Sequence, residues 1–342
     1  MNELRRDPMS GRWTIFEHPD KPDIEALLPP EASRPKRESP GNCSFCEGNE
    51  NSTPVEICSI RKKGSASNGI GWEIRVVADQ DPVMSYEGSL NEHGYGLYDV
   101  LNAIGAHEIL IEHPKHSTHL KDYSPNHTKK VLGVLQQRII ELKQDTRFRY
   151  VLFHKQKGES PGILGDHAHS HILATPITPM RVRNELVYAR EFYQYKARCI
   201  YCDMIFMELR KRERIVREDE DFLAVSPYAA HRPFEIWILP IKHETFFERN
   251  TNLPNLSETL QFVVQKIAEE LRDPGYTITL HNGPNTSVSH QRGYWKTIAQ
   301  DYHWHLEIVP DIPSRSNFNP GFDFSVNPVP PEMAAQIFRG FS

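Results

Sequence analysis

The sequence is short of cysteine, has no excess of positive charge and contains no long apolar run. Its 342 residues include five cysteines and carry a formal charge of −5. That balance offers no basic face, so nucleic acid is excluded as an expected partner. No apolar stretch approaches the roughly 18 residues of a membrane span. The opening Met1-Asn2-Glu3-Leu4-Arg5-Arg6-Asp7 also lacks the basic-then-apolar layout of a secretory leader. A cytoplasmic protein without a membrane partner is therefore expected. Low-complexity tracts are missing as well, although residues 18–42 are rich in proline and charge and read as an irregular arm. With 38% hydrophobic and 25% charged residues the chain can bury a core. Four of the five cysteines form two C-x2-C pairs, which in a reducing compartment points to metal or redox chemistry rather than to disulfides.

What the chain has in abundance is histidine, 17 in all, and the histidines recur in one order. The first series starts at Cys43-Ser44-Phe45-Cys46. A strand pattern follows at 72–77, then Glu108-Ile109-Leu110-Ile111-Glu112-His113-Pro114-Lys115-His116. Ser124-Pro125 opens a helix as cap and first-turn proline, striped by Val131, Leu135, Ile139 and Leu142. A strand at 148–154 leads to a glycine-bearing loop, 158–165, and to His167-Ala168-His169-Ser170-His171. The second series starts at Cys199-Ile200-Tyr201-Cys202. It continues through a strand at 222–225, a run from Glu235 to Lys242-His243, a helix capped by Ser257 and a strand at 276–281. After Gly283 it ends in His303-Trp304-His305. Two copies of one α+β domain are expected, spanning 1–180 and 181–342, with antiparallel sheets and flanking helices.

Each copy offers two cysteines and two histidines as metal ligands: Cys43, Cys46, His116 and His167, then Cys199, Cys202, His243 and His303. Cys2His2 is a usual set for tetrahedral zinc, and thiolate with imidazole suits zinc better than magnesium or calcium. The alternative is buried free thiols and core histidines. Four protein ligands leave no open position, so both zincs would be structural. Cys58 is left over and reads as a small buried hydrophobe. In a strand, residues i and i+2 share a face, so His167 could be held by metal while His169 faces the same pocket free to react.

An H-x-H-x-H run before an apolar strand resembles the histidine-triad superfamily, whose middle histidine attacks the α-phosphorus of a nucleotide. Neutral imidazole is a competent nucleophile near physiological pH. The glycines just before the run, Gly158, Gly162 and Gly165, would let backbone N–H groups approach phosphate oxygens.

The resemblance extends along nearly the whole chain to the galactose-1-phosphate uridylyltransferase family, a two-copy branch of that superfamily. It rests on Arg6-Asp7-Pro8-Met9-Ser10-Gly11-Arg12-Trp13, on Cys43 to Glu50 with Thr53-Pro54, on Gly71 to Val77, on Pro114 to Leu120 and on His167-Ala168-His169. The second C-x2-C, His303 to Pro310 and Asn327 to Glu332 resemble a two-zinc branch that includes ADP-glucose phosphorylases. The resemblance implies His169 as nucleophile, Asp79 near the nucleoside, and His305 as the second-copy counterpart of His169. Several positions depart from the family. His171 stands where glutamine is usual, Leu164 where a phosphate-contacting serine is usual, and Gln156 where asparagine is usual. Asp20-Lys21-Pro22-Asp23 stands in place of an Arg-x-x-Arg-Pro. Lys155 and Lys157 are candidates to supply the missing positive charge. Near Phe318, in the sugar-contacting tail, Asn319 replaces a glutamate.

The activity the resemblance implies is nucleotidyl transfer between a nucleotide sugar and a sugar 1-phosphate, with UMP carried on His169. Alternatives are a phosphorylase that uses inorganic phosphate on ADP-glucose or a dinucleoside polyphosphate, a hydrolase favoured by His171, or a non-catalytic zinc-stabilised nucleotide-binding protein. A homodimer is implied by analogy, with the sugar site shared between subunits.

Overall fold

The computed structural model describes residues 1–17, 24–29, 43–158, 167–288, 295–313 and 324–340. Fifteen strands are found among these residues, some alternating apolar with polar side chains and some, such as Phe222–Val225, apolar throughout. They are β1 (Glu3–Arg6), β2 (Trp13–Phe16), β3 (Glu56–Arg61), β4 (Trp72–Ala78), β5 (His93–Tyr95), β6 (Tyr98–Val100), β7 (Ala106–Ile111), β8 (Tyr150–Lys157), β9 (His169–Thr175), β10 (Ile215–Glu218), β11 (Phe222–Val225), β12 (Ile236–Pro240), β13 (Tyr276–His281), β14 (His305–Pro310) and β15 (Ser325–Asn327). Among the described residues, the helices of two turns or more are α1 (Pro125–Leu142), α2 (Met180–Lys196), α3 (Ile200–Lys211), α4 (Leu253–Glu270) and α5 (Pro331–Phe338).

Ten strands form one sheet in the order β10-β11-β12-β14-β13-β8-β9-β7-β4-β3. Every neighbouring pair in it is antiparallel. The order is the same read inward from either edge, so the strands of the second series mirror those of the first about the β13–β8 seam. Tyr276 opposite Lys157 and Leu280 opposite Phe153 set the register there. The α+β architecture with antiparallel strands and flanking helices is thus as expected, with the two series joined in one continuous sheet.

Side-chain alternation divides the sheet into two faces. Leu110, Ile172 and Ala174 pack with Val131, Leu135 and Ile139 of α1, in a core that also takes Leu260 and Val264 of α4. The opposite face carries His169 and His171 of β9, cross-strand from Ile111 and Ile109 of β7. Ile109 and Ile111 there cluster with Cys43, Phe45, Cys46 and Trp72.

Some boundaries differ from expectation. Ser124 does cap α1, its side chain accepting from the His127 N–H. Ser257 caps nothing: α4 begins at Leu253, where Pro254 suits a first turn, and Ser257 Oγ donates back to the Pro254 carbonyl at 2.7 Å. The strand read over 108–116 stops at Ile111; proline lacks the N–H a ladder needs, and the chain turns through Pro114 to His116. His167 precedes β9, which starts at His169, so the shared-face argument from strand geometry does not apply to this pair. Cys58 is only partly buried against the main core, and burial pushes its thiol up to about 11.

Candidate active site and metal centres

The turn through Lys115-His116 and the approach to β9 bring the first copy's cysteines and histidines together, and the turn through Lys242-His243 with the approach to β14 does the same in the second. Ligand atoms of Cys43, Cys46, His116 and His167 lie within 4.8 Å of one another, as do those of Cys199, Cys202, His243 and His303. Each group could hold a metal ion. In the first, His167 Nδ1 is 3.6 Å from both Cys43 Sγ and Cys46 Sγ, and His116 Nδ1 is 3.6 Å from Cys46 Sγ. In the second, Cys202 Sγ is 3.4 Å from His243 Nδ1 and 3.8 Å from His303 Nδ1. Three of the four far nitrogens are tied to backbone carbonyls: His167 Nε2 to His113 O at 2.6 Å, His243 Nε2 to Ala299 O at 3.1 Å and His303 Nε2 to Pro240 O at 2.8 Å; His116 Nε2 is buried without a hydrogen-bond partner. A carbonyl only accepts, so in those three Nε2 carries the proton and Nδ1 presents its lone pair to the sulfurs. The first group is wholly buried, whereas Cys202 is half-buried and His243 exposed. The hydrogen bond from Cys199, and then the two imidazoles, hold the Cys202 thiol below the usual thiol range.

His169 follows directly on this group and is 4% exposed. Its Nδ1 lies 2.6 Å from the His167 carbonyl oxygen, which fixes the proton on Nδ1 and the lone pair on Nε2. Burial pushes its pKa below the usual histidine range, so the imidazole is neutral near pH 7. Phe45, between the two cysteines, packs at 5.3 Å from the His169 ring.

Beneath β9, on the helix face, Lys155 Nζ donates to both Glu112 carboxylate oxygens at 2.9 Å and to the His169 carbonyl at 3.3 Å. Glu112 also accepts from Ser170 Oγ and, at 3.2 Å, from Tyr123 Oη. Burial alone would raise the Glu112 carboxyl, but Lys155, Ser170 and Tyr123 outweigh it and hold it down. Lys157 pairs with Asp273 at 2.5 Å. Both lysines expected to face phosphates are therefore engaged in ion pairs.

His171 is bonded to a residue that sequence reasoning missed. His107 Nε2 lies 3.1 Å from His171 Nδ1 and 3.3 Å from Asp79 Oδ2. The rings of His169 and His171 are 5.2 Å apart. Burial, then His169 and His107, hold His171 down to about 4. The one available signal for His107 was its period-two spacing from Ile109 and Ile111 in β7, which puts it on the face that carries His169 and His171.

Gln156 lies near the seam, opposite Thr277. Gly158 has a packing reason to be glycine: its φ is +119°, and a Cβ would sit 2.9 Å from the Gly275 Cα. Gly162, Leu164, Phe318 and Asn319 lie outside the described residues. His305 is 1% exposed, stacked at 4.5 Å on His281 and bordered at 4.8 Å by Trp237. His281 bonds Glu185 at 3.0 Å and Glu307 at 2.9 Å, and Arg181 Nη2 meets Glu307 at 2.7 Å. The surroundings of His305, the second-copy counterpart of His169, are thus filled by a packed ion network.

Comparison with known proteins agrees with this geometry. The profile "Galactose-1-phosphate uridyl transferase, N-terminal domain" matches residues 78–179, and its C-terminal counterpart matches residues 185–312. ADP-glucose phosphorylase of Arabidopsis thaliana is 30% identical over 346 residues, covering 99% of this chain and 93% of that protein. Galactose-1-phosphate uridylyltransferase of Thermotoga maritima is 23% identical over 350 residues, covering 99% and 98%. A crystal structure of the Arabidopsis ADP-glucose phosphorylase with bound ADP-glucose superposes with a TM-score of 0.79 at 28% identity, covering all of both chains. With matches in both halves, and a relative 30% identical over nearly the whole chain, the chain belongs to the galactose-1-phosphate uridyl transferase family of nucleotidyltransferases.

Proposed function

We propose that this chain moves a nucleoside monophosphate from a nucleotide sugar to a sugar 1-phosphate through a covalent intermediate on His169. The lone pair of His169 Nε2 attacks the α-phosphorus, and the bond to the sugar phosphate breaks, releasing sugar 1-phosphate. An oxygen of the incoming sugar 1-phosphate then attacks the same phosphorus, the P–N bond breaks, and the imidazole is restored. The observation that carries this reading is the 2.6 Å bond from His169 Nδ1 to the His167 carbonyl, which leaves Nε2 as the nucleophile. Lys155 acts as a positioning residue through the His169 carbonyl. Asp79, Gln156 and Gly158, with Gly162 and Leu164, belong to the nucleotide side in this reading. Phe318 and Asn319 belong to the sugar side, whereas His305, enclosed beside the ion network, has no face left for a sugar.

Zinc is the ion this reading gives the two Cys2His2 sets. Bonds of about 2.3 Å to sulfur and about 2.0 Å to nitrogen set tetrahedral edges of about 3.5 Å. The sulfur–nitrogen spacings of 3.4 to 3.8 Å fit them. Such an ion would hold the His167 backbone in place, and with it the acceptor for His169. The boundary between the two copies falls near residue 180. The transferred group is UMP in this reading, the assembly a homodimer, and the setting the cytosol, which the five free thiols suit.

A second reading is phosphorolysis of ADP-glucose, with AMP on His169 and inorganic phosphate as acceptor. It is favoured by the 30% identity to a protein named ADP-glucose phosphorylase. Intact-protein mass spectrometry after separate incubation with UDP-glucose and ADP-glucose tests both. A UMP adduct supports the first and an AMP adduct the second. No adduct with any nucleotide sugar sinks covalent transfer. Release of free nucleoside monophosphate without acceptor would mark hydrolysis instead.

A further inference from the structure

His107 Nε2 faces two groups at once, the Asp79 carboxylate at 3.3 Å and His171 Nδ1 at 3.1 Å. One hydrogen between three such atoms serves two of them poorly. His107 Nδ1 is buried without a hydrogen-bond partner, so no protein group fixes the tautomer that a proton relay through this ring would need. The three ligand atoms lie within 4.8 Å of one another. First-row divalent ions bound by imidazole and carboxylate at about 2.0–2.2 Å place tetrahedral ligand atoms about 3.4 Å apart. The observed spacings of 3.1 and 3.3 Å are close to that edge.

We propose that Asp79, His107 and His171 form a third metal site, binding a divalent transition-metal cation beside the nucleophile. Two imidazoles and one carboxylate suit zinc, manganese, iron or cobalt rather than calcium or magnesium, and they leave coordination positions open. The site is reachable, since all three residues are partly exposed. The cation would supply positive charge to substrate phosphates at a place where Lys155 and Lys157 are neutralised by Glu112 and Asp273. That role rests on the nucleotidyl-transfer reading. The binding itself does not.

Cobalt(II) titration of the purified full chain tests the binding. Thiolate-bound cobalt gives charge-transfer bands that imidazole and carboxylate ligands do not produce. Wild-type protein should take up one equivalent beyond the cobalt that those bands report. Asp79→Asn and His107→Gln should each lose that one equivalent and keep the thiolate bands, which also report an intact fold. A wild-type uptake fully accounted for by thiolate bands overturns the site. So does an extra equivalent that both variants retain. Failure of the transfer reading would appear separately, as no nucleotidyl adduct on His169 with the cobalt count unchanged.

Discussion

His169 Nδ1 and the carbonyl oxygen of His167 are 2.6 Å apart. Because the carbonyl only accepts, this contact leaves Nε2 as the nitrogen that attacks in the proposed reaction, and it does so through backbone that leads into the first Cys2His2 group. Replacing the ring should remove the chemistry and leave the metal group alone. His169→Ala is expected to form no nucleotidyl adduct and to lose transfer by on the order of 10³-fold or more. Its metal content and melting temperature should match the parent. An adduct detected by intact mass in the variant would move the nucleophile elsewhere.

The Lys155–Glu112 pair is fully enclosed under the reacting strand. Removing one partner strands the other charge in a poor solvent. Lys155→Met should therefore cost about 3–5 kcal/mol in urea unfolding. The double variant Lys155→Met, Glu112→Gln should recover a large part of that loss, because no lone charge remains buried. If the double variant is as unstable as the sum of the singles, the ion-pair account is wrong.

The repeat order was readable because each copy repeats its own local punctuation: C-x2-C, Lys-His and H-x-H. Those signals led to ligand groups that do converge, and Ser124 with Pro125 marked the start of α1. What the sequence hid were partners fixed by tertiary packing. Lys155 and Lys157 read as available cations, yet their carboxylates come from 43 and 116 positions away. His107 reads as one polar residue in an apolar strand, and its partner His171 arrives 64 positions later. The seam between β13 and β8 has no local pattern either, so nothing in the spacing announced that the two series share a sheet. Ser257 failed as a cap because Pro254 sets the start of α4 earlier.

The filled second pocket gives a pH dependence with a definite sign. Burial alone would lower the His281 pKa, but Glu185 and Glu307 outweigh it and raise it to about 9. The folded state therefore holds a proton that the unfolded chain releases above about pH 6.5. The stability from this charge is fully present below pH 6.5 and is lost as pH rises through about 9, on the order of 3 kcal/mol in all. Wild-type protein should show a falling melting temperature between those values. His281→Gln should be less stable at pH 6.5 and show a flatter profile over the same window. Parallel profiles would refute the assignment.

The two Cys2His2 groups differ in access, and that difference should order their loss of metal. All four residues of the first group are buried, while His243 of the second is exposed. A chromogenic chelator should therefore remove zinc in a fast and a slow phase, with the fast phase missing in Cys202→Ser. Adduct formation on His169 should survive the fast phase, since the second group lies in the other series of strands. It should disappear with the slow phase, because the His167 carbonyl that orients His169 belongs to a ligand of the first group. Zinc removed in one phase, or an adduct lost with the fast phase, would separate the nucleophile from the metal group proposed to hold it.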